Sequence, residues 1–223
     1  MTADTGTRVP AYMLDLAERV GGDRIREHMA RWTPPEAGGR ASAVLILIAD
    51  DAEGPDVLLI ERAAMLRNHA GQPAFPGGGT DPGDTDPAAT ALREAAEEVA
   101  LDPTGVSVVA TLPALFLEPS AYVVTPVLAY WHEPGPVRVQ DSAEVAAVAR
   151  IPFAELADPA NRFSVSHPSG YTGAAFGVRG SVVWGFTAGL LAMLLELTGW
   201  ARPWDEGDVR DLETAIGAQD GLG

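Results

Sequence analysis

Apolar positions recur along this chain with two periods. Ser42 to Ala49 is an almost unbroken run of Val, Leu, Ile and Ala, and Val57 to Glu61 repeats the theme. Both predict strands, joined through the polar turn Asp50-Asp51-Ala52-Glu53-Gly54-Pro55. Further strands are predicted at Ser107 to Leu112, Val123 to Trp131 and Val145 to Ala149. A helical period marks Met13, Leu14, Leu16, Ala17 and Val20 as a first helix. Ile25, Met29 and Trp32 mark a short second one, which Pro34-Pro35 and Gly38-Gly39 break. Pro152 opens a short helix through Leu156. Trp184 to Leu197 is apolar on most sides and predicts a long, buried last helix. Gly217 to Gly223 reads as a loose, glycine-rich tail. Strands followed by a helix, twice over, suggest an α/β protein with a mixed sheet sandwiched between helices.

One further helix carries the chemistry. Asp86 is a good N-cap and Pro87 suits the first helical position, where its missing N–H costs nothing. At about 100° per residue, Ala88, Leu92, Ala95, Ala96 and Val99 fall on one side and Glu94, Glu97 and Glu98 on the other. Like charges so spaced repel by roughly 0.2–0.5 kcal/mol per pair. A divalent cation reverses that sign, and carboxylate oxygens are the ligands that hard ions such as Mg2+ and Mn2+ prefer. Against this stands the plain alternative of a solvated acidic face. Just ahead lies Phe75-Pro76-Gly77-Gly78-Gly79, too rich in glycine to be regular and able to bring backbone groups close to a ligand.

Composition narrows the partners. A chain of 223 residues, 47% hydrophobic, can bury one good-sized core, so a single domain with terminal additions is expected. The net charge of −16 argues against nucleic acid or an anionic membrane as partner and makes a cation more necessary for a phosphate-bearing substrate. With no cysteine there is no disulfide, thiolate metal site or cysteine nucleophile. No basic start followed by an apolar core is present, and the stretch from Val182 to Leu195 is too short and interrupted to span a bilayer. A cytoplasmic protein is expected.

The helix and the residues before it resemble the box of the Nudix hydrolase family: glycine, five residues, glutamate, seven residues, then R-E-U-x-E-E-x-G-U with U aliphatic. Arg93, Glu94, Glu97, Glu98 and Leu101 align directly. Ala95 is a small U residue, and Ala100 stands where the family has its last glycine. Five residues after Gly78 comes Asp84, with eight rather than seven residues before Arg93, so the family's first glutamate is here an aspartate shifted by one. Upstream, the run from Arg62 through Leu66, Arg67, His69, Gly71, Gln72 and Phe75 to Gly78 is similar to a signature of the coenzyme A pyrophosphatase group, lacking only its serine, which is Ala63 here. Further similarity at Val124-Thr125-Pro126-Val127 and Val183 to Ala188 extends the resemblance over roughly residues 40 to 195.

The resemblance implies a Nudix-like α/β/α sandwich at residues 40–200, with an N-terminal helical extension at 1–39 and a C-terminal helix or tail at 201–223. It implies Mg2+ or Mn2+ held by Glu94, Glu97 and Glu98, with a backbone carbonyl of Gly77 or Gly78 as a further ligand. Arg93 would orient the glutamates, braced by Asp84. A general base comes from Glu94 or from Glu144, which precedes a later strand; as a lone loop acid Glu144 is equally a solvated side chain. Arg62, Arg67, His69, Gln72 and Gly77 would face a small-molecule nucleotide substrate. Phe75, Tyr122 and Trp184 read as packing residues, and His28, His132 and His167 receive no role. Three functions stay open: cleavage of coenzyme A or its esters, cleavage of another diphosphate such as ADP-ribose, NADH or a dinucleotide polyphosphate, and nucleotide binding without turnover. A homodimer contact through the extensions also stays open.

Overall fold

The computed structural model describes residues 9–21, 34, 38–65, 70–117, 121–218 and 221–222. In chain order its elements are α1 (Ala11–Val20), β1 (Arg40–Asp51), β2 (Gly54–Arg62), β3 (Pro73–Ala74), β4 (Gly77–Gly79) and α2 (Pro87–Val99). Then come β5 (Val106–Thr111), β6 (Leu115–Leu117), β7 (Tyr122–Trp131), β8 (Val145–Pro152) and α3 (Phe153–Leu156). The last are β9 (Arg162–Ser166), β10 (Thr172–Val178), β11 (Ser181–Val183), α4 (Gly185–Thr198), β12 (Val209–Asp211) and α5 (Leu212–Gly217).

The apolar run of β1 is long because both of its faces are covered. Ala43, Leu45, Leu47 and Ala49 point to one side, where Ala91, Ala95 and Val99 of α2 close a core with Leu58 and Ile60 of β2. Ile46 and Ile48 point the other way, into a larger core with Met13, Leu16 and Val20 of α1 and Leu190, Leu191 and Leu194 of α4. The period of two in β1 thus feeds two separate cores, and the three layers follow: helix, mixed sheet, helices. In the sheet β1 runs antiparallel to β2 and β4 and parallel to β7; β8 and β3 add to β2, and β5 and β6 add to β7. α1 is fastened at its start by Tyr12, whose hydroxyl donates to Asp50 at 2.8 Å; Tyr130 donates to the other oxygen at 3.0 Å. Beside them the buried Asp56 is neutralised by Arg150, with Nε at 2.9 Å.

The strands predicted from apolar runs are present with ends moved by no more than three residues. Trp184 stands just outside its helix, as the residue before the first turn of α4. The short helix over Ile25, Met29 and Trp32 lies outside the described residues. Three expectations need correction. Gly77–Gly79 is regular after all, pairing antiparallel with Val44 to Ser42. At Gly77 a Cβ would strike the backbone of Ala43 and Val44, so glycine is what allows the strand to lie this close. A second sheet went unforeseen, with strand order β11-β10-β9-β12. The tail is not loose throughout: α5 precedes it, and Leu222 is buried, its amide donating to Glu61 at 2.6 Å. Among the described residues, no helix is long and apolar enough to cross a membrane.

Candidate active site

The acidic helix starts where the sequence indicates. Asp86 accepts the amide of Ala89 at 2.8 Å, a cap worth about 1 kcal/mol, and Pro87 follows. It ends at Ala100 in the left-handed region, φ 57 and ψ 34, whose N–H closes on the last turn. That conformation explains a preference for glycine here. Beyond it, the amides of Arg138 and Gln140 donate to the carbonyls of Val99 and Glu98 at 3.1 and 2.9 Å. The segment leading to Glu144 is thereby tied to the end of α2, and the amide of Ala63 donates to the Glu144 carbonyl at 2.8 Å.

The three glutamates lie at three depths rather than on one wet stripe. The Glu97 side chain is 59% exposed and that of Glu94 14%, while Glu98 is buried. Arg93 gathers the outer two through one terminal nitrogen, 3.0 Å from Glu97 and 3.1 Å from Glu94. Its other side grips Asp84 with two parallel bonds, Nε to Oδ1 at 3.1 Å and NH2 to Oδ2 at 3.0 Å, and NH2 also donates to the Gly79 carbonyl at 2.9 Å. The shifted aspartate therefore reaches the arginine. Paired with Arg93, Asp84 is held well below the usual carboxylate range, and Arg93 is raised in turn. Two polar partners that the sequence did not single out complete this clamp: the Thr90 hydroxyl and the Asp81 amide, each 2.9 Å from Asp84 Oδ2. The available signals were the Asp81-Pro82-Gly83-Asp84 turn and a lone hydroxyl in an alanine-rich helix.

Glu98 faces the glycine strand. Its Oε2 accepts the Gly77 amide at 2.9 Å, whereas its buried Oε1 has no donor among the described residues. Burial pushes this carboxyl up to about 8, against the pull of the Gly77 amide and of Arg62. Burial also raises Glu94, with Arg93 opposing, and Glu144 is near enough to disfavour ionisation of both Glu94 and Glu98. Glu94 lies against Gly78, where a Cβ would come within 2.6 Å of its carboxylate. The Nε of Arg62 is buried with no acceptor among the described residues. Arg67 and His69 lie outside the described residues. Gln72 offers its carbonyl to the Arg62 amide at 3.1 Å, and Phe75 is core. Tyr122 stacks under Arg40, and Trp184 packs edge-on to Tyr171. His132 meets Ser107 at 3.1 Å and His167 meets Ser169 at 2.8 Å.

Among the described residues, no three acidic or imidazole side chains already converge as a cation cage. The donor set nonetheless suits a hard divalent ion: carboxylate oxygens beside a glycine strand, one of them buried without a partner among the described residues. The Glu97 ion pair with Arg93 is exposed and worth roughly 0–1 kcal/mol, too little to hold Glu97 against a stronger partner.

Residues 39–168 match the family model described as NUDIX domain. A protein of Escherichia coli O6:H1 and one of Cronobacter sakazakii, each named as the uncharacterized Nudix hydrolase NudL, are both 45% identical over 116 residues, which cover 52% of this chain and 59% of theirs. The chain thus spans less than two thirds of the length of the curated relatives it matches. Among solved structures, that of the Nudix hydrolase RenU from M. smegmatis aligns with a TM-score of 0.53 at 20% identity, over 78% of this chain and 98% of that one. At that identity the likeness concerns the fold.

Proposed function

This chain belongs to the Nudix family, and on that premise we propose that it is a metal-dependent pyrophosphohydrolase that cleaves the diphosphate of coenzyme A or its acyl esters. One observation carries the reading: a buried Glu98 oxygen with no partner among the described residues, on a carboxylate whose other oxygen accepts the Gly77 amide and whose helix also carries the acids that Arg93 holds. Glu94, Glu97, Glu98 and the Gly78 carbonyl would hold Mg2+ or Mn2+, which when bound neutralises charge on diphosphate oxygens and acidifies water. Arg93, fixed by Asp84 and Gly79, keeps Glu94 and Glu97 in place through charge-assisted pairs. Glu94 or Glu144 takes the proton of the attacking water. The new P–O bond forms as the bridging P–O bond breaks, and the electron pair leaves on the departing phosphate, giving 3′,5′-ADP and a phosphopantetheine. Arg62, with its buried Nε unspent, meets a substrate phosphate, joined by Arg67 and His69. Choice of coenzyme A rests on the run from Arg62 to Gly78.

Incubation with Mg2+ or Mn2+ and a panel of coenzyme A, acyl-CoA, ADP-ribose and NADH, with products identified by mass, tests this. Adenosine 3′,5′-bisphosphate from coenzyme A is the expected product. Turnover confined to ADP-ribose or NADH would move the substrate, and tight binding with no product would end the enzymatic reading. Glu94→Gln and Glu144→Gln separate the two candidate bases, since only loss of the true base flattens the acidic limb of the pH–rate profile.

A further inference from the structure

Asp84 is one methylene shorter and one residue out of register compared with the glutamate it replaces, yet its contact with Arg93 is two-pointed, at 3.1 and 3.0 Å. The compensation lies on the far side of the carboxylate. Four donors meet this carboxylate: Nε of Arg93 on Oδ1, and NH2 of Arg93, the Asp81 amide and the Thr90 hydroxyl together on Oδ2. Thr90 is fully buried and its Oγ1 has three neighbours: Asp84 Oδ2 at 2.9 Å, Thr80 Oγ1 at 3.4 Å and the Asp86 carbonyl at 3.5 Å. One hydroxyl proton serves one strong acceptor, and the charged, nearest oxygen takes it. This departs from the habit of helical threonine, which is to bond back to the carbonyl four residues earlier. Removing that donor leaves the exposed Asp81 amide as the one partner of Oδ2 besides Arg93 among the described residues, so the carboxylate is held less firmly in the orientation that meets Arg93.

We propose that Thr90 is a positioning residue: its buried hydroxyl pins Asp84 so that Arg93 presents its free edge to Glu94 and Glu97. This rests on the reading of Arg93 as the organiser of a hydrolytic site. The test compares Thr90→Val, which keeps the shape and deletes the donor, with Thr90→Ser, which keeps the donor. Thr90→Ala serves as a second donor deletion should the valine variant not fold. In Thr90→Val, kcat for the diphosphate substrate falls about tenfold with KM within about twofold of the parent, and Thr90→Ser restores it. Independently of turnover, solvent exchange of the Arg93 Nε–H, followed by NMR on arginine-labelled protein, quickens about tenfold in Thr90→Val and returns in Thr90→Ser. Parental exchange and kcat in Thr90→Val, or equal losses in the valine and serine variants, would overturn the assignment. If the parent cleaves no diphosphate while Arg93 exchange responds as expected, the hydrolase reading falls and the pinning of Asp84 stands.

Discussion

Two carboxylates serve the same helix in opposite states. Asp84, near its start, accepts four hydrogen bonds, one on Oδ1 and three on Oδ2, and is stabilised as the anion. Glu98, near its end, is buried with one oxygen unanswered and is pushed toward the neutral acid. The first is a finished structural joint that holds without help. The second costs free energy as an anion unless a cation meets it, which is the role the proposed metal would fill.

The sharpest way to break the contrast is Glu98→Gln, which keeps the shape and removes the charge. Turnover with Mg2+ falls by orders of magnitude while circular dichroism stays that of the parent; Glu97→Gln behaves alike, and full activity in either would remove the metal site. Next comes Gly78→Ala. Its Cβ meets the flexible end of Glu94 rather than backbone, so the carboxylate moves and kcat drops about 10- to 100-fold in a folded protein. Gly77→Ala instead strikes the backbone of β1 and lowers the melting temperature, separating a strand glycine from a site glycine.

A smaller effect concerns acidity. With Glu98 at about 8 in the fold and 4.5 ordinarily, the unfolded chain releases this proton first. The contribution of Glu98 to stability is therefore fully present below about 4.5 and is lost as pH rises through 8, in protein free of divalent ions. Thermal melts across that window should show the decline, Glu98→Gln should flatten it, and added Mg2+ should offset it at the alkaline end. Last, Ala100→Gly relieves a left-handed residue at the helix end and raises stability by about 1 kcal/mol in denaturant titration.

How much of this was legible varies with the physical signal. β1, β2, β7, α2 and α4 were readable because each is covered on one or both faces and so carries a run or period of apolar residues. The second sheet was not: Arg162-Phe163-Ser164-Val165-Ser166 and Thr172-Gly173-Ala174-Ala175-Phe176-Gly177-Val178 are short and rich in small residues, and what makes them strands is pairing with each other. The glycine strand was misread because glycine disfavours strands in general, whereas here close approach to β1 requires it. In the site, residue types announced the acids, but their depth did not follow from spacing. A helical wheel places Glu98 with Glu94 and Glu97; only the glycine strand across from it makes it the buried one. Nor could sequence reveal that Thr90 supplies a bond to the aspartate six positions earlier.

The parallel pairing of Val209–Asp211 with Ser164 to Ser166 has a consequence for how the molecule is made. During synthesis β9 waits through more than forty residues for the strand that covers its open edge, while its other neighbour β10 follows at once. Until then that edge offers unpaired amides and carbonyls to any passing chain. A nascent or truncated product stopping short of residue 209 would carry a sticky border, so aggregation on the ribosome-side timescale is the hazard that the last short strand removes.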